Sequence, residues 1–412
     1  MSLPSTREPV RPGPDHRATG ARRRPRLALG ALLVATVVLG ATVVLGAGAQ
    51  LSRAGASVGA RTFSIMATPN VGAADNYLAQ VSCVSTKLCM AVGGRTVGSN
   101  DRSLALKWNG AAWAVSPTPN GALPGSYFNA VDCVSMTFCV AVGSSYMDPV
   151  SRLLVERWTG KAWVLVASPS LGALSGYGDA VACTSSSFCM AVGVTRAGTS
   201  TYRTLAERWN GSKWYVVASP NSSPTTNYLQ GVACTSPSYC VAVGYRAAGA
   251  GPEQPLLERW NGKGWSPMGP GIVPANAFLY RVACTSTTFC AAVGATNGPS
   301  GYRTLIERWN GSHWSALPSP NQGTGNNILH GVACWSMSWC EATGDSRVGA
   351  VTRTLVERWN GTAWAVEPSP DKSALDNALN SPSIVPGSAH VFMLAGYGTI
   401  GSAERTLVLN GR

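Results

Sequence analysis

The sequence predicts an all-β chain: a seven-bladed β-propeller of four-stranded antiparallel blades, preceded by one apolar N-terminal segment. Three observations predict it. Twelve cysteines recur as equally spaced pairs with a period near 50 residues, each repeat reads as four short strands, and the two ends of the chain are complementary fragments of one further repeat.

The cysteine pairs are Cys83/Cys89, Cys133/Cys139, Cys183/Cys189, Cys234/Cys240, Cys284/Cys290 and Cys334/Cys340, each enclosing five residues. A zinc site would need two pairs brought together and favours a shorter spacing. A redox pair is typically Cys-x-x-Cys and has no reason to recur in every repeat. A disulfide inside each repeat suits the even count and an oxidising compartment, and closing so short a loop contributes about 2 kcal/mol in the chain-entropy model.

The repeat unit at 228–261 shows the strand pattern. Gly231-Val232-Ala233-Cys234 reads as a first strand, and Cys240-Val241-Ala242-Val243-Gly244 as a second, apolar throughout and so buried on both faces. Leu256-Leu257-Glu258-Arg259-Trp260 is the third, Asn261-Gly262 a hairpin turn in which both residues tolerate positive φ, and Trp265 opens the fourth. Four short antiparallel strands per repeat of this length make a propeller blade.

Six units are complete. In the last, Ile384 and Phe392 stand where the cysteines would be, and the chain stops just after Asn410-Gly411, before a fourth strand. Phe63-Ser64-Ile65-Met66-Ala67-Thr68-Pro69-Asn70 aligns without gaps on Trp314–Asn321, so the missing strand is expected from the N-terminal end of the domain. Such a composite blade closes the ring and removes open sheet edges.

The repeated pattern Val-x-Cys…Cys-x-Ala-Val-Gly…Leu-x-Glu-Arg-Trp-Asn-Gly-x-x-Trp resembles the BNR/Asp-box class of propeller repeats over residues 63–412, and its Ala-Val-Gly strand resembles photosystem II assembly-factor-like propellers. The resemblance implies an outer hairpin with a Gly-containing turn before a Trp. Asn replaces the Asp of the box, as in Asn210-Gly211-Ser212-Lys213-Trp214. A sialidase of this class would need an arginine triad, a Tyr/Glu pair and an acid. Tyr202-Arg203-Thr204-Leu205 and Tyr302-Arg303-Thr304-Leu305 lack the proline of the sialidase signature, and they recur.

Groups that recur are scaffold. The Trp pairs, from Trp108/Trp113 to Trp359/Trp364, should flank the outer turn and pack between blades. Glu156, Glu207, Glu258, Glu307 and Glu357, each followed by Arg, are expected to form ion pairs between blades, as are Arg102, Arg203, Arg303, Arg353 and Arg405. Recognition belongs on the face carrying the variable second-to-third and blade-to-blade loops. One position there changes from blade to blade: Ala79, Asn129, Asp179, Gln230, Tyr280, His330 and Asn380, two residues before the recurring Val of the first strand. Its polar members form the candidate ligand-binding ring, expected at the channel mouth. Further departures from the repeat are Asp132, Arg281, Trp335, Trp339, Glu341 and Asp345; the two extra Trp read either as an aromatic patch on the cysteine-turn face or as packing against the seventh blade.

No catalytic residue, cofactor or metal site emerges. His313, His330 and His390 are dispersed, and Gly55-Ala56-Ser57-Val58-Gly59 lacks the strand-turn-helix setting of a nucleophile elbow. Residues 1–26 form a basic tail with seven Arg, 27–49 an uncharged apolar stretch and 50–62 a linker. The stretch is long enough to span a bilayer, with the arginines on the cytoplasmic side. Ala47-Gly48-Ala49 equally resembles a signal-peptide cleavage site. Either way the propeller lies outside the cytoplasm, membrane-tethered or secreted. The net charge of +13 is partly in the tail, leaving a mild basic excess elsewhere. The expected function is a non-enzymatic binding or scaffold module for an extracellular protein or cell-envelope glycan, without specific nucleic-acid binding. The alternative is a carbohydrate-active enzyme, a sialidase-like hydrolase or a lyase.

Overall fold

Each fifty-residue unit folds as one four-stranded antiparallel sheet with its strands in sequence order. The computed structural model describes residues 61–148, 150–169, 175–388 and 390–412. The basic tail, the apolar stretch 27–49 and the Gly55–Gly59 motif lie outside the described residues. Among those described, no helix is long and apolar enough to cross a membrane. Blades 1 to 6 span 76–115, 125–165, 176–216, 226–268, 277–317 and 327–367, and blade 7 spans 377–411. The first strands of successive blades contact one another around the ring and so surround its axis, while the short fourth strands lie outermost.

The fourth strand of blade 7 is Phe63–Met66, paired antiparallel with Ala403–Gly411 so that Phe63 faces Gly411 and Met66 faces Val408. Two ends of the chain therefore complete one blade, as the sequence alignment predicts.

The apolar second strands hold the blades together. Cys240, Val241, Ala242 and Val243 are fully buried, with Ala242 facing blade 3 and Val241 and Val243 facing blade 5. This is the consequence of alternating side chains in a sheet covered on both faces. Between blades 3 and 4, Met190, Val192 and Ala206 meet Leu229, Leu256, Trp260 and Trp265; equivalent clusters fill the other seams.

The cysteine turns and the outer turns interlock on one face. All six pairs are disulfide-bonded within their own blade: Cys83 to Cys89, Cys133 to Cys139, Cys183 to Cys189, Cys234 to Cys240, Cys284 to Cys290 and Cys334 to Cys340. The two members of each pair face one another directly in register, as Cys183 faces Cys189.

The two members of each pair sit in different surroundings. Cys89, Cys139, Cys189, Cys240, Cys290 and Cys340 open the second strands and are 0% exposed, each packed into the apolar cluster of a different blade seam. Cys83, Cys133 and Cys334 are also buried, whereas Cys183, Cys234 and Cys284 are only partly covered. The second cysteine is therefore a core residue as well as half of a cross-link, since its strand lies between two neighbouring sheets. In blade 7, Ile384 faces Phe392 in the same register, and an apolar contact replaces the bond.

The third-strand Trp lies opposite its outer-strand partner with ring centroids 5.7–5.9 Å apart. Its indole N–H donates to a carbonyl at the tip of the cysteine turn, as from Trp209 to Ser186 at 3.0 Å and from Trp260 to Pro237 at 3.1 Å. One side chain thus braces both turns.

The outer turn differs from the tight Asn-Gly hairpin expected. Four residues separate the paired Trp, and only the glycine takes positive φ, for example Gly211 at 98°. The Asn keeps ordinary backbone geometry and uses its side chain. Asn210 Oδ1 accepts from the backbone N–H of Ser212 and Lys213, an Asx-type turn in which Asn does the acceptor work of the Asp in an Asp box.

The ion-pair expectation for the repeated Glu and Arg is corrected. The five Glu are fully buried, and none joins an ion pair among the described residues. Each accepts from the loop that leads into its own blade: Asn120 N–H to Glu156 at 3.1 Å, Ser168 Oγ to Glu207 at 2.9 Å, Ser219 Oγ to Glu258 at 2.7 Å, Gly271 N–H to Glu307 at 2.7 Å, and Ser319 Oγ to Glu357 at 3.0 Å. Burial pushes Glu156 and Glu357 up to about 8 and Glu207 and Glu258 up to about 7. The third-strand Arg side chains bond mainly to loop carbonyls, Arg203 to Ser223, Arg303 to Thr324 and Arg405 to Ala73 and Ala74; of these only Arg353 pairs with a carboxylate, Asp371 at 3.2 Å. Both groups link blades, mainly through loop backbone and hydroxyls, with the Arg353–Asp371 pair as the exception.

Candidate functional site

Every member of the variable row occupies the same backbone feature. The first strand of each blade carries a register shift against the second, and Ala79, Asn129, Asp179, Gln230, Tyr280, His330 and Asn380 are the residues at that bulge. The bulge explains why the first strand extends further than its sequence suggests: in blade 4 it runs Thr226–Ser236, with Gln230 as the extra residue. It also explains the glycine that ends the Ala-Val-Gly run. A Cβ on Gly244 would lie 1.9 Å from the Tyr228 carbonyl oxygen, so only glycine lets the two strands close here. The row lies four or five residues into the innermost strands, inside the ring and deeper than the mouth position expected.

The seven positions divide by what their side chains do. Asn129 and Asn380 each donate an amide N–H to the next blade, to Gly178 O at 2.9 Å and Leu78 O at 2.8 Å. These two clasp neighbouring blades. His330 Nε2 lies 2.6 Å from Asp345 Oδ1, which ties together two of the departures noted in blade 6. Asp179, Gln230 and Tyr280 retain buried polar atoms (Oδ2, Oε1 and the hydroxyl) with no hydrogen-bond partner among the described residues. Burial raises Asp179 to about 7 against the pull of Arg281. Arg281 follows Tyr280 in blade 5 and donates to the backbone carbonyls of Gln230 and Tyr280. Blades 3 to 5 therefore concentrate an acid, a guanidinium, an amide and a phenol on adjacent inner strands.

An aromatic row missed by the sequence reading borders this sector. Tyr77, Tyr127, Tyr177, Tyr228 and Phe278 stand two residues before the bulge in blades 1 to 5. From blade 3 to blade 6 the rings form a continuous arc: Tyr202–Tyr228 at 5.2 Å, Tyr228–Tyr245 stacked at 5.0 Å, Tyr245–Phe278 edge-on at 5.3 Å, Phe278–Tyr280 at 6.3 Å and Tyr280–His330 stacked at 6.1 Å. The same period that marks the cysteines would have found it. A second missed row is the buried Asn76, Asn227, Asn327 and Asn377 at the start of first strands. Each folds the preceding loop around its amide, as when Asn327 Oδ1 accepts from Gln322 N–H at 2.8 Å.

Variation among the second-to-third loops is confined to the same sector. Between strand ends these loops hold two residues in blades 1, 2, 5, 6 and 7, but five in blade 3 (197–201) and six in blade 4 (248–253).

Asp132 belongs to another network, nearer the cysteine turns. It accepts from Ser82 Oγ at 3.2 Å and from Cys183 N–H at 2.7 Å, while Ser82 and Ser383 accept from Cys133 and Cys83 N–H, each at 3.0 Å. These side chains stitch blade to blade. Trp335 and Trp339 pack on His390 of blade 7, the latter stacked at 4.4 Å, so of the two readings offered for them the seam is the one observed. No cluster of three or more metal-ligating side chains occurs among the described residues.

No family model matches the chain, and no curated protein matches it. Solved structures that resemble it are propellers. YCF48 bound to D1 peptide superposes with TM-score 0.51 at 13% identity, covering 86% of this chain and 95% of that one. The WD40 β-propeller domain of Doa1 gives 0.53 at 10% identity, covering 85% and 97%. The GH74 xyloglucanase from Xanthomonas campestris gives 0.53 at 14% identity, covering 82% of this chain and 53% of the enzyme, so the chain spans about half that protein's length. At these identities the likeness establishes the fold alone.

Proposed function

We propose that the chain is a non-enzymatic binding scaffold that recognises a polypeptide segment through the inner ring and loops of blades 3 to 5, on an extracellular domain tethered through residues 27–49. The observation that carries this reading is the bulge row. Seven geometrically equivalent positions hold different side chains, and those of Asp179, Gln230 and Tyr280 keep buried polar atoms unpaired beside an aromatic arc. A rigid frame with distinct groups at equivalent points distinguishes the ends and sides of an asymmetric ligand. Unpaired acceptors and stacked tyrosines suit the N–H groups and apolar side chains of an extended peptide. Two of the fold neighbours are described by a bound peptide and by a WD40 domain, which is compatible with this reading.

A cell-envelope glycan is the rival ligand, and Asp179, held near neutrality by burial, is the group on which hydrolytic chemistry would draw. Parallel screens of the propeller against a displayed random-peptide library and a polysaccharide array separate the readings. The expected result is peptide enrichment that is lost, roughly tenfold or more in Kd, in the variant Asp179→Ala/Gln230→Ala/Tyr280→Phe with its circular dichroism and Tm retained. Turnover of any polysaccharide that disappears in Asp179→Asn would replace the binding reading with the enzymatic one.

A further inference from the structure

The two faces of the ring arrange their charge differently, one carrying lysines without acids and the other arginines and acids together. On the face built from cysteine turns and outer turns, the turn segments themselves contain no Asp or Glu. Lys87, Lys161, Lys213, Lys263 and the terminal Arg412 are exposed there. The carboxylates that border these turns are engaged internally: Asp132 accepts from Ser82 Oγ and from the Cys183 N–H, and Glu341 and Glu367 are buried and paired with Arg61 and Arg358. On the loop face, by contrast, arginines alternate with Asp75, Asp148, Glu253, Asp371 and Asp376. Composition alone conceals this polarity. Two large apolar side chains also project from cysteine-turn tips on the basic face, Met136 at 50% and Met337 at 59% exposure.

The chain enters the domain on that same face. Thr62 and Arg412 exchange backbone hydrogen bonds at 3.3 and 3.2 Å, beside Gly411, which is in register with Phe392 at the start of the second strand of blade 7. Only residues 50–61 separate Thr62 from the apolar stretch 27–49, a length of chain that reaches on the order of 40 Å at full extension.

We propose that the cysteine-turn face is a docking surface for anionic phospholipid headgroups. Its lysines would lie against the headgroup phosphates, Met136 and Met337 would enter the interfacial layer, and the loop face would be turned outward. Basic residues close to an anionic bilayer bind additively and are screened by salt, and apolar tips add an interfacial contribution that a soluble polyanion would not use. The charge asymmetry stands without the membrane tether. The choice of lipid over a soluble polymer rests on the tether reading.

The test uses the full-length chain with nanodiscs of phosphatidylcholine alone or mixed with phosphatidylglycerol. Acylation of individual lysines by an amine-reactive ester is followed by mass spectrometry, with Lys372 on the loop face as internal reference. Labelling of Lys87, Lys161, Lys213 and Lys263 is expected to slow roughly threefold or more in anionic discs and to recover in about 0.5 M salt, with Lys372 unchanged. In the variant Lys161→Glu/Lys213→Glu/Lys263→Glu, Lys87 should label at its neutral-disc rate. Equal labelling in both lipids overturns the proposal. So does protection by soluble polyphosphate in neutral discs where anionic lipid gives none, which would assign the face to a polymer. Co-elution with neutral discs reports the tether separately: a chain that joins only anionic discs, with the same lysines protected, would remove the tether and keep the docking face.

Discussion

Arg61 donates to Glu341 across 2.9 Å, joining the residue just before the closing strand to the second strand of blade 6. Both side chains are buried, 6% and 0% exposed. The guanidinium also lies 5.2 Å from the Trp339 ring and 5.1 Å from that of Phe392, so it is held between blades 6 and 7. Burial pushes the Glu341 carboxyl up, and Arg61 and Arg358 pull the other way. The closing strand is only four residues long, Phe63–Met66. The buried contact therefore adds a side-chain latch at the one place where the ring is not covalently continuous, and it accounts for two departures from the repeat, Trp339 and Glu341.

Removing one side of this latch leaves a buried group without its partner. Arg61→Ala is expected to destabilise the propeller by about 3 kcal/mol or more, measured by urea unfolding near pH 7. Replacing both partners with apolar groups, Arg61→Met with Glu341→Leu, should restore most of that loss because no buried charge remains. A double variant as unstable as the single would mean that Arg61 acts through its ring contacts and not through Glu341.

The closed ring, its blade count and the six disulfides were legible because each depends on a local pattern repeated at a fixed period. The latch was not, because Arg61 lies outside the repeat and meets Glu341 across 280 positions. The role of the Glu row was misread for a physical reason. Neighbouring residues in a strand point to opposite faces, so Glu156 and Arg157 cannot share a partner, and the Glu is directed into the blade seam. The variable row was visible in sequence, but the bulge beneath it was not, since only pairing registers such as Leu229↔Gly244 followed by Gly231↔Val243 reveal it. That bulge places Asp179 and Tyr280 inside the ring, and it shows Asn129 and Asn380 to be clasps between blades.

The Glu row should give the fold an inverted pH dependence. Glu156, Glu207, Glu258 and Glu357 hold a proton more tightly folded than unfolded, with folded values of about 8, 7, 7 and 8 against an ordinary 4.5. Their contribution is complete below pH 4.5 and is lost as pH rises through about 7 to 8. The Tm is therefore expected to be higher at pH 5 than at pH 8.5, by several degrees if each carboxyl contributes about 1 kcal/mol. Glu258→Gln keeps a neutral side chain of the same shape, and its stability relative to wild type should improve as pH rises. A Tm that climbs from pH 5 to pH 8.5 would show that these carboxyls stay ionised in the fold.

Blade 7 makes its seam without a disulfide, through Ile384 opposite Phe392, and this limits how much the other six bonds can be needed for the fold itself. Both cysteine side chains in a blade are part of the apolar packing; Cys240, for example, is fully buried in the cluster with Met190 and Trp260, and Cys234 packs against it. Peptide mapping under non-reducing conditions should recover six links, each between cysteines six positions apart. Substituting one pair, Cys234→Ala with Cys240→Val, is expected to cost about 2–4 kcal/mol, from the lost loop constraint plus altered packing, while the ring stays closed. Full reduction should lower the Tm strongly yet leave the far-ultraviolet spectrum of a β-sheet protein at low temperature. If reduction instead unfolds the chain at low temperature, the seam packing seen at Ile384 and Phe392 is insufficient in the other blades, and the cross-links are what hold the fold.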